Sequence, residues 1–158
     1  MASATSRPPR RTASTAASFR LKSHIFYYFS QILARRNRAL NLELRAFGLD
    51  YQRWRVMAVL NEETDCSMRR LSDLSSVDRT TLTRTLNLMQ EEGLVTRRLR
   101  ASDRRSVSVS LSPHGRQLLK QILPIVLGQS ERALAGFTAR EFDELRGQLT
   151  RIAENLKG

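Results

Sequence analysis

Val77-Asp78-Arg79-Thr80-Thr81-Leu82-Thr83-Arg84 opens a helix with short polar and cationic side chains and a single acid. Leu82, Leu86 and Met89, spaced by four and three, mark its buried face, and Gly93 stands where a left-handed residue would end it. A shorter helix over Met68 to Leu74 precedes it, presenting Leu71 and Leu74 to the core, with Ser75-Ser76 as the turn. Directly afterwards come Leu94-Val95-Thr96-Arg97-Arg98-Leu99-Arg100, the turn Ala101-Ser102-Asp103-Arg104, and Arg105-Ser106-Val107-Ser108-Val109-Ser110-Leu111. Val95 and Leu99 with Val107, Val109 and Leu111 alternate with polar positions, the period-two sign of a two-stranded hairpin with one buried face. Its tip carries five arginines against one carboxylate in nine residues. A helix offering hydrogen-bonding side chains, beside a cationic ribbon able to straddle phosphates, implies a reader of duplex DNA.

On both sides of this module the pattern is helical. From Phe19 to about Leu44, the residues Leu21, Ile25, Tyr28, Ile32, Leu33, Leu40 and Leu44 form a wide apolar stripe. Gly48 breaks it, and Asp50 caps a second helix that buries Trp54, Met57, Ala58 and Leu60. Asn61 to Asp65 reads as a polar loop. Ser112 before Pro113 marks a helix start, an N-cap hydroxyl followed by proline at the first helical position. That helix carries Leu118, Leu119, Ile122, Leu123, Ile125, Val126 and Leu127, with Pro124 expected to kink it. Thr138 and Glu141 form a capping box for a last helix. Its Phe142, Leu145, Leu149, Ile152 and Leu156 make a seam suited to a partner helix.

The expected organisation is therefore mainly α with a small β-hairpin wing. Residues 1–17 read as a disordered basic tail, because so few large apolar side chains cannot offset the entropy of ordering. Residues 18–48 read as an N-terminal dimerisation helix, 49–116 as a DNA-binding module and 117–158 as C-terminal dimerisation helices, all within one compact domain. Surplus apolar faces at both ends imply a homodimer, which could read two half-sites about one helical turn apart.

The totals agree with a polyanionic partner. The 158 residues carry a net charge of +12, and 24 of the 27 basic residues are arginine. Guanidinium forks suit bidentate contact with phosphate and guanine. The single cysteine, Cys66, excludes an internal disulfide, and His24 and His114 lack metal-ligand spacing. No cofactor or metal is expected, nor a membrane span or export signal, and the cytoplasm is the expected location. No nucleophile–base pair or glycine-rich phosphate loop stands in the sequence, so no enzyme is implied.

The order of these pieces resembles the MarR family of winged-helix transcriptional regulators over roughly Phe19 to Leu156. The signature stands here as Trp54-Arg55-Val56, Leu71-Ser72-Asp73-Leu74, Thr81-Leu82-Thr83-Arg84, Glu91-Glu92-Gly93-Leu94-Val95, Asp103-Arg104-Arg105 and Leu111-Ser112-Pro113-His114-Gly115-Arg116. The resemblance implies a winged helix-turn-helix, a homodimer, a palindromic operator and a small effector that releases the DNA. It also implies that Asp103 braces Arg105 as that arginine enters the minor groove, where a narrow A·T-rich tract concentrates negative potential. Arg79, Thr80, Thr81 and Arg84 are the candidates for major-groove contacts. Arg97, Arg98, Arg100 and Arg104 are those for phosphates, although Arg97 and Arg98 alternate across a strand and only one can face the backbone squarely. Asp78 could equally cap the helix or touch a base.

For the effector, the resemblance implies a pocket between the dimerisation helices and the winged module. His24, Tyr27 and Tyr28, with Trp54 and Arg53, would suit an aromatic carboxylate or its coenzyme A thioester. The same aromatic residues could instead be core and dimer packing. Cys66 reads as a buried, inert thiol. The competing functional reading is an architectural or weakly specific nucleic-acid binder that uses the charge without base discrimination.

Overall fold

The computed structural model describes residues 20–100 and 103–157, and gives the backbone alone for residue 100 and residues 103–106. The basic tail and the turn residues Ala101 and Ser102 lie outside the described residues. The chain divides into two compact units, one ending at Arg36 and one beginning at Asn37.

The first unit holds a 3-10 turn, Leu21–Ser23, and the opening of helix α1 (Ile25–Leu44). Its aromatic side chains pack on one another. Tyr27 and Tyr28 meet edge to face with ring centres 5.5 Å apart, and Phe26 meets Phe29 at 5.7 Å. Leu21, Ile25, Tyr28, Ile32 and Leu33, the outer part of the expected stripe, are all exposed.

The second unit begins with the end of α1, where Leu40 and Leu44 are fully buried. Gly48 turns the chain at φ 68°, in the left-handed region where glycine carries no Cβ penalty. Asp50 then caps α2 (Tyr51–Glu62), its Oδ1 accepting from the Arg53 N–H at 2.8 Å. Trp54, Val56, Met57 and Leu60 of α2 enter the core. The helix runs through Glu62, so the expected loop from Asn61 shrinks to residues 63–65.

Next comes β1 (Cys66–Ser67), followed by α3 (Met68–Ser75) and α4 (Arg79–Glu91), then β2 (Val95–Arg100) and β3 (Asp103–Leu111). All strands are antiparallel in the order β1-β3-β2, with Cys66 opposite Val109 and Val95 opposite Leu111. The expected two-stranded ribbon is thus a three-stranded sheet. A two-residue strand has no periodicity of its own and exists only through its pairing to β3. Cys66 is buried there, as expected of an inert thiol.

Two core assignments need correction. Leu74 is 37% exposed, because the inward position of the last turn of α3 belongs to Ser75, four residues on from Leu71. The Ser75 hydroxyl satisfies itself by donating to the Leu71 carbonyl oxygen at 2.6 Å. Leu99 is 67% exposed. Burial fades along the hairpin from Leu111 and Val109 to half-buried Val107, and Leu99 pairs with Val107 just before the register shifts at Arg100.

Helix α5 (Pro113–Ala133) starts where Ser112 Oγ accepts from the Gly115 N–H at 2.9 Å and donates to the Gly93 carbonyl oxygen at 2.5 Å. Gly115 is required by a close approach, since a Cβ there would run into the Leu94 carbonyl. The helix continues through Pro124 and buries Leu119, Ile122 and Val126. Helix α6 (Ala139–Asn155) opens on the expected capping box between Thr138 and Glu141, and buries no residue at all. Between the two helices Leu127, Leu134, Phe137 and Phe142 line an open apolar groove of about 410 Å³.

Candidate nucleic-acid interface

Helix α4 is the candidate reading element, since its two faces differ so sharply. Leu82, Leu86 and Met89 are fully buried, while Arg79, Thr80, Thr83, Arg84 and Asn87 are exposed. Thr80, Thr83, Arg84 and Asn87 fall at i, i+3, i+4 and i+7, so they share one outward stripe. Thr83 and Asn87 are absent from the candidates above. Their spacing from Thr80 is the signal that places them on this face.

At the start of the helix, Asp78 is a cap. Its Oδ1 accepts from the Thr81 N–H at 2.9 Å. The Thr81 side chain and then its backbone N–H hold the Asp78 carboxyl below the usual carboxylate range. Half-buried Thr81 is therefore engaged with Asp78, whereas Thr80 and Arg84 project freely from the helix. The Thr83 hydroxyl donates to the Arg79 carbonyl oxygen at 2.8 Å, which ties it to the helix's own backbone.

The hairpin separates its two adjacent arginines. Arg97 lies on the face of β2 that meets α4, its guanidinium 3.5 Å from the Thr83 carbonyl oxygen. Its buried Nε has no hydrogen-bond partner among the described residues. Asn87, Gln90 and Glu91 join it around a shallow notch between α4 and the hairpin. Arg98 points to the opposite face and is exposed, beside Thr96, Ser110 and Arg116 at the base of α5. Arg100, Asp103, Arg104 and Arg105 lie on strand backbone at the hairpin tip, where Arg100 pairs with Asp103. Their side chains, and with them the bracing of Arg105, lie outside the described residues.

The effector candidates are divided between the units. His24, Tyr27 and Tyr28 belong to the first, Arg53 and Trp54 to the second. His24 and Tyr28 are exposed and Tyr27 is half-buried. Trp54 is buried in the core cluster. Arg53 already serves the protein, with Nη1 2.9 Å from the Gly48 carbonyl oxygen and 2.9 and 3.0 Å from the two Glu92 carboxylate oxygens. Beside it, the Arg55 guanidinium donates to the Tyr51 hydroxyl at 3.0 Å and to the Leu74 carbonyl oxygen at 3.3 Å. The tool of attachment to the module's turn is thus a second arginine of the same helix.

Helices α2 to α4 with the antiparallel hairpin after them form a winged helix-turn-helix, a DNA-binding module. A sequence model of the MarR family matches residues 47–106, which span that module up to the wing. The chain is 26% identical over 139 residues to the HTH-type transcriptional repressor IacR of Pseudomonas putida, covering 88% of this chain and 83% of the repressor. A MarR-family transcriptional regulator from Silicibacter pomeroyi has a similar structure, with 28% identity, a TM-score of 0.78, and coverage of 85% of this chain and 91% of that one. A probable transcriptional regulator from Pseudomonas aeruginosa is 30% identical with a TM-score of 0.74, covering 84% of this chain and 99% of that one. The chain belongs to the MarR family of winged helix-turn-helix transcriptional regulators and is a DNA-binding protein. No described helix is long and apolar enough to cross a membrane.

Proposed function

We propose that the protein is a homodimeric repressor that reads a palindromic operator. The observation that carries this is the outward stripe of α4, Thr80, Arg84 and Asn87, free of acids and set beside cationic β2. Arg79, Thr80 and Arg84 take the major groove, with Thr81 holding the helix start through Asp78; Arg98, Arg100 and Arg104 take phosphates, with Arg97, turned toward α4, contributing charge beside the reading face; and Arg105, braced by Asp103, takes the minor groove. The dimer is supported by α6, none of whose seam residues is buried by the described residues, and by the groove against α5. Repression is supported by the likeness to the Pseudomonas putida repressor. Equilibrium binding to duplex fragments from around its own gene tests the reading: two chains per site and preference over scrambled sequence are expected. A monomer, or indifference to sequence, contradicts it and favours the architectural alternative.

A small aromatic acid or its thioester would release the DNA. An acid reaching Arg53 would have to compete with Glu92 for its guanidinium. Thermal-shift titration with aromatic acids and their coenzyme A esters tests this, and a flat response to all of them counts against an effector of this class.

A further inference from the structure

Glu91 and Glu92 place two acids at the carboxyl end of α4, where the helix dipole is already negative. They also lie in a module that must approach a polyanion. Glu92 is the C-cap of α4, and its backbone N–H closes the helix on the Leu88 carbonyl oxygen at 2.9 Å. From there the chain turns through Gly93, at φ 70°, directly into the hairpin. Ser112 grips the same link from the far end of the hairpin, through the Gly93 and Leu94 carbonyl oxygens. This link is where the reading helix hands over to the wing.

The tie from α2 to this link is Arg53, 39 residues away in sequence. Its side chain is only 16% exposed against 43% for Glu92. The same Nη1 that donates to Glu92 also bonds the Gly48 carbonyl oxygen, and Asp50 Oδ2 lies 3.9 Å from Nε. Arg53 is thus held by its neighbours rather than being a loose surface charge. Buried Leu82, Leu86 and Met89 seat α4 on the core, while Glu92, beyond the last of them, is held through Arg53. At about 1.5 Å per residue, the 13 residues of α4 span roughly 20 Å, so a shift of its C-terminal end displaces the reading side chains along it. Base-edge hydrogen bonds tolerate only a few tenths of an ångström.

We propose that Arg53 is a positioning residue for DNA reading: through Glu92 it fixes the end of α4, and with it the angle between the reading helix and the wing. This rests on the sequence-specific reading above. A purely electrostatic role predicts the opposite sign in one variant, which makes the two separable. Glu92→Gln removes a negative charge from a DNA-binding module, so charge alone would tighten every duplex complex. Positioning requires instead that the operator complex weaken while scrambled duplex binds as well as before or better.

The test is a double-mutant cycle of Arg53→Gln and Glu92→Gln. Operator and scrambled-duplex affinities would be measured at one salt concentration, with melting midpoints confirming that each variant is folded. Each single variant is expected to lower the operator-to-scrambled ratio about three- to tenfold, and the double variant to be no worse than Arg53→Gln alone. Operator affinity of Glu92→Gln equal to or above wild type, or single effects that simply multiply, overturns the proposal. Wild-type protein that fails to distinguish operator from scrambled duplex would sink the DNA-reading assignment itself, a result distinct from either.

Discussion

The module built from α2 to the start of α5 and the terminal helix α6 are made of similar apolar residues used in opposite ways. In the module, Val56, Met57, Leu71, Leu82, Leu86, Met89 and Val109 are fully sealed. In α6, Phe142 and Leu149 remain 40% exposed and nothing is buried. One region completes its core within a single chain. The other carries a seam at three- and four-residue spacing that the described residues leave unburied. Large exposed apolar faces mark interaction sites, so the contrast sets what folds the chain against the face on which the proposed dimer rests.

The largest effect should come from the open region. Leu149→Glu removes nothing from the sealed core, so the thermal midpoint of the isolated subunit should hardly move. In sedimentation analysis the dimer should dissociate, and operator affinity should fall about 100-fold or more as two linked half-sites become independent. An intact dimer would mean that the seam of α6 is not the contact.

Gly115→Ala probes the sealed region in the converse way. The added Cβ meets the Leu94 carbonyl, which belongs to backbone and cannot swing aside. A loss of about 1–3 kcal/mol in chemical denaturation is expected, with the chain still dimeric at assay concentration. Unchanged stability would show that α5 can draw back from the hairpin freely.

Arg84→Ala acts on the surface of the same region. Since Arg84 is exposed, melting should be unaffected, while operator binding should weaken by about 1–3 kcal/mol and discriminate less at one base position. A uniform loss across sequences would move Arg84 from base reading to phosphate contact.

The smallest effect concerns the cap. Because Thr81 depresses the Asp78 carboxyl pKa in the folded protein, the cap stabilises above the unfolded pKa, about 4. That contribution is lost as pH falls through the lower folded value. Asp78→Ala should therefore lower the midpoint by about 2–5 °C at neutral pH, and the gap from wild type should close in acid. A gap that widens on acidification would contradict the assigned cap.

How much of this is legible in the chain depends on whether the cause is local. Asp50, Asp78, Ser112 and the Thr138–Glu141 box announce their helices because the capping partner lies three residues away. Gly48 and Gly93 announce their turns because positive φ selects glycine. The period of Leu82, Leu86 and Met89 gives the exposed face of α4 by elimination. Long-range features are silent. Strand β1 exists through Val109 and Ser108, more than 40 residues on. Arg53 reads as a free cation until Glu92 is brought to it. Leu74 and Leu99 match their patterns but sit where the core has run out, which spacing alone does not reveal.

The most direct test is a salt titration of the protein on operator and scrambled duplexes, followed by fluorescence anisotropy. Both complexes should weaken as salt rises, because phosphate contacts release counterions. The operator complex should keep an advantage of at least about 1,000-fold, carried by base contacts. Parallel curves with no gap between them would contradict specific reading by α4 and the wing.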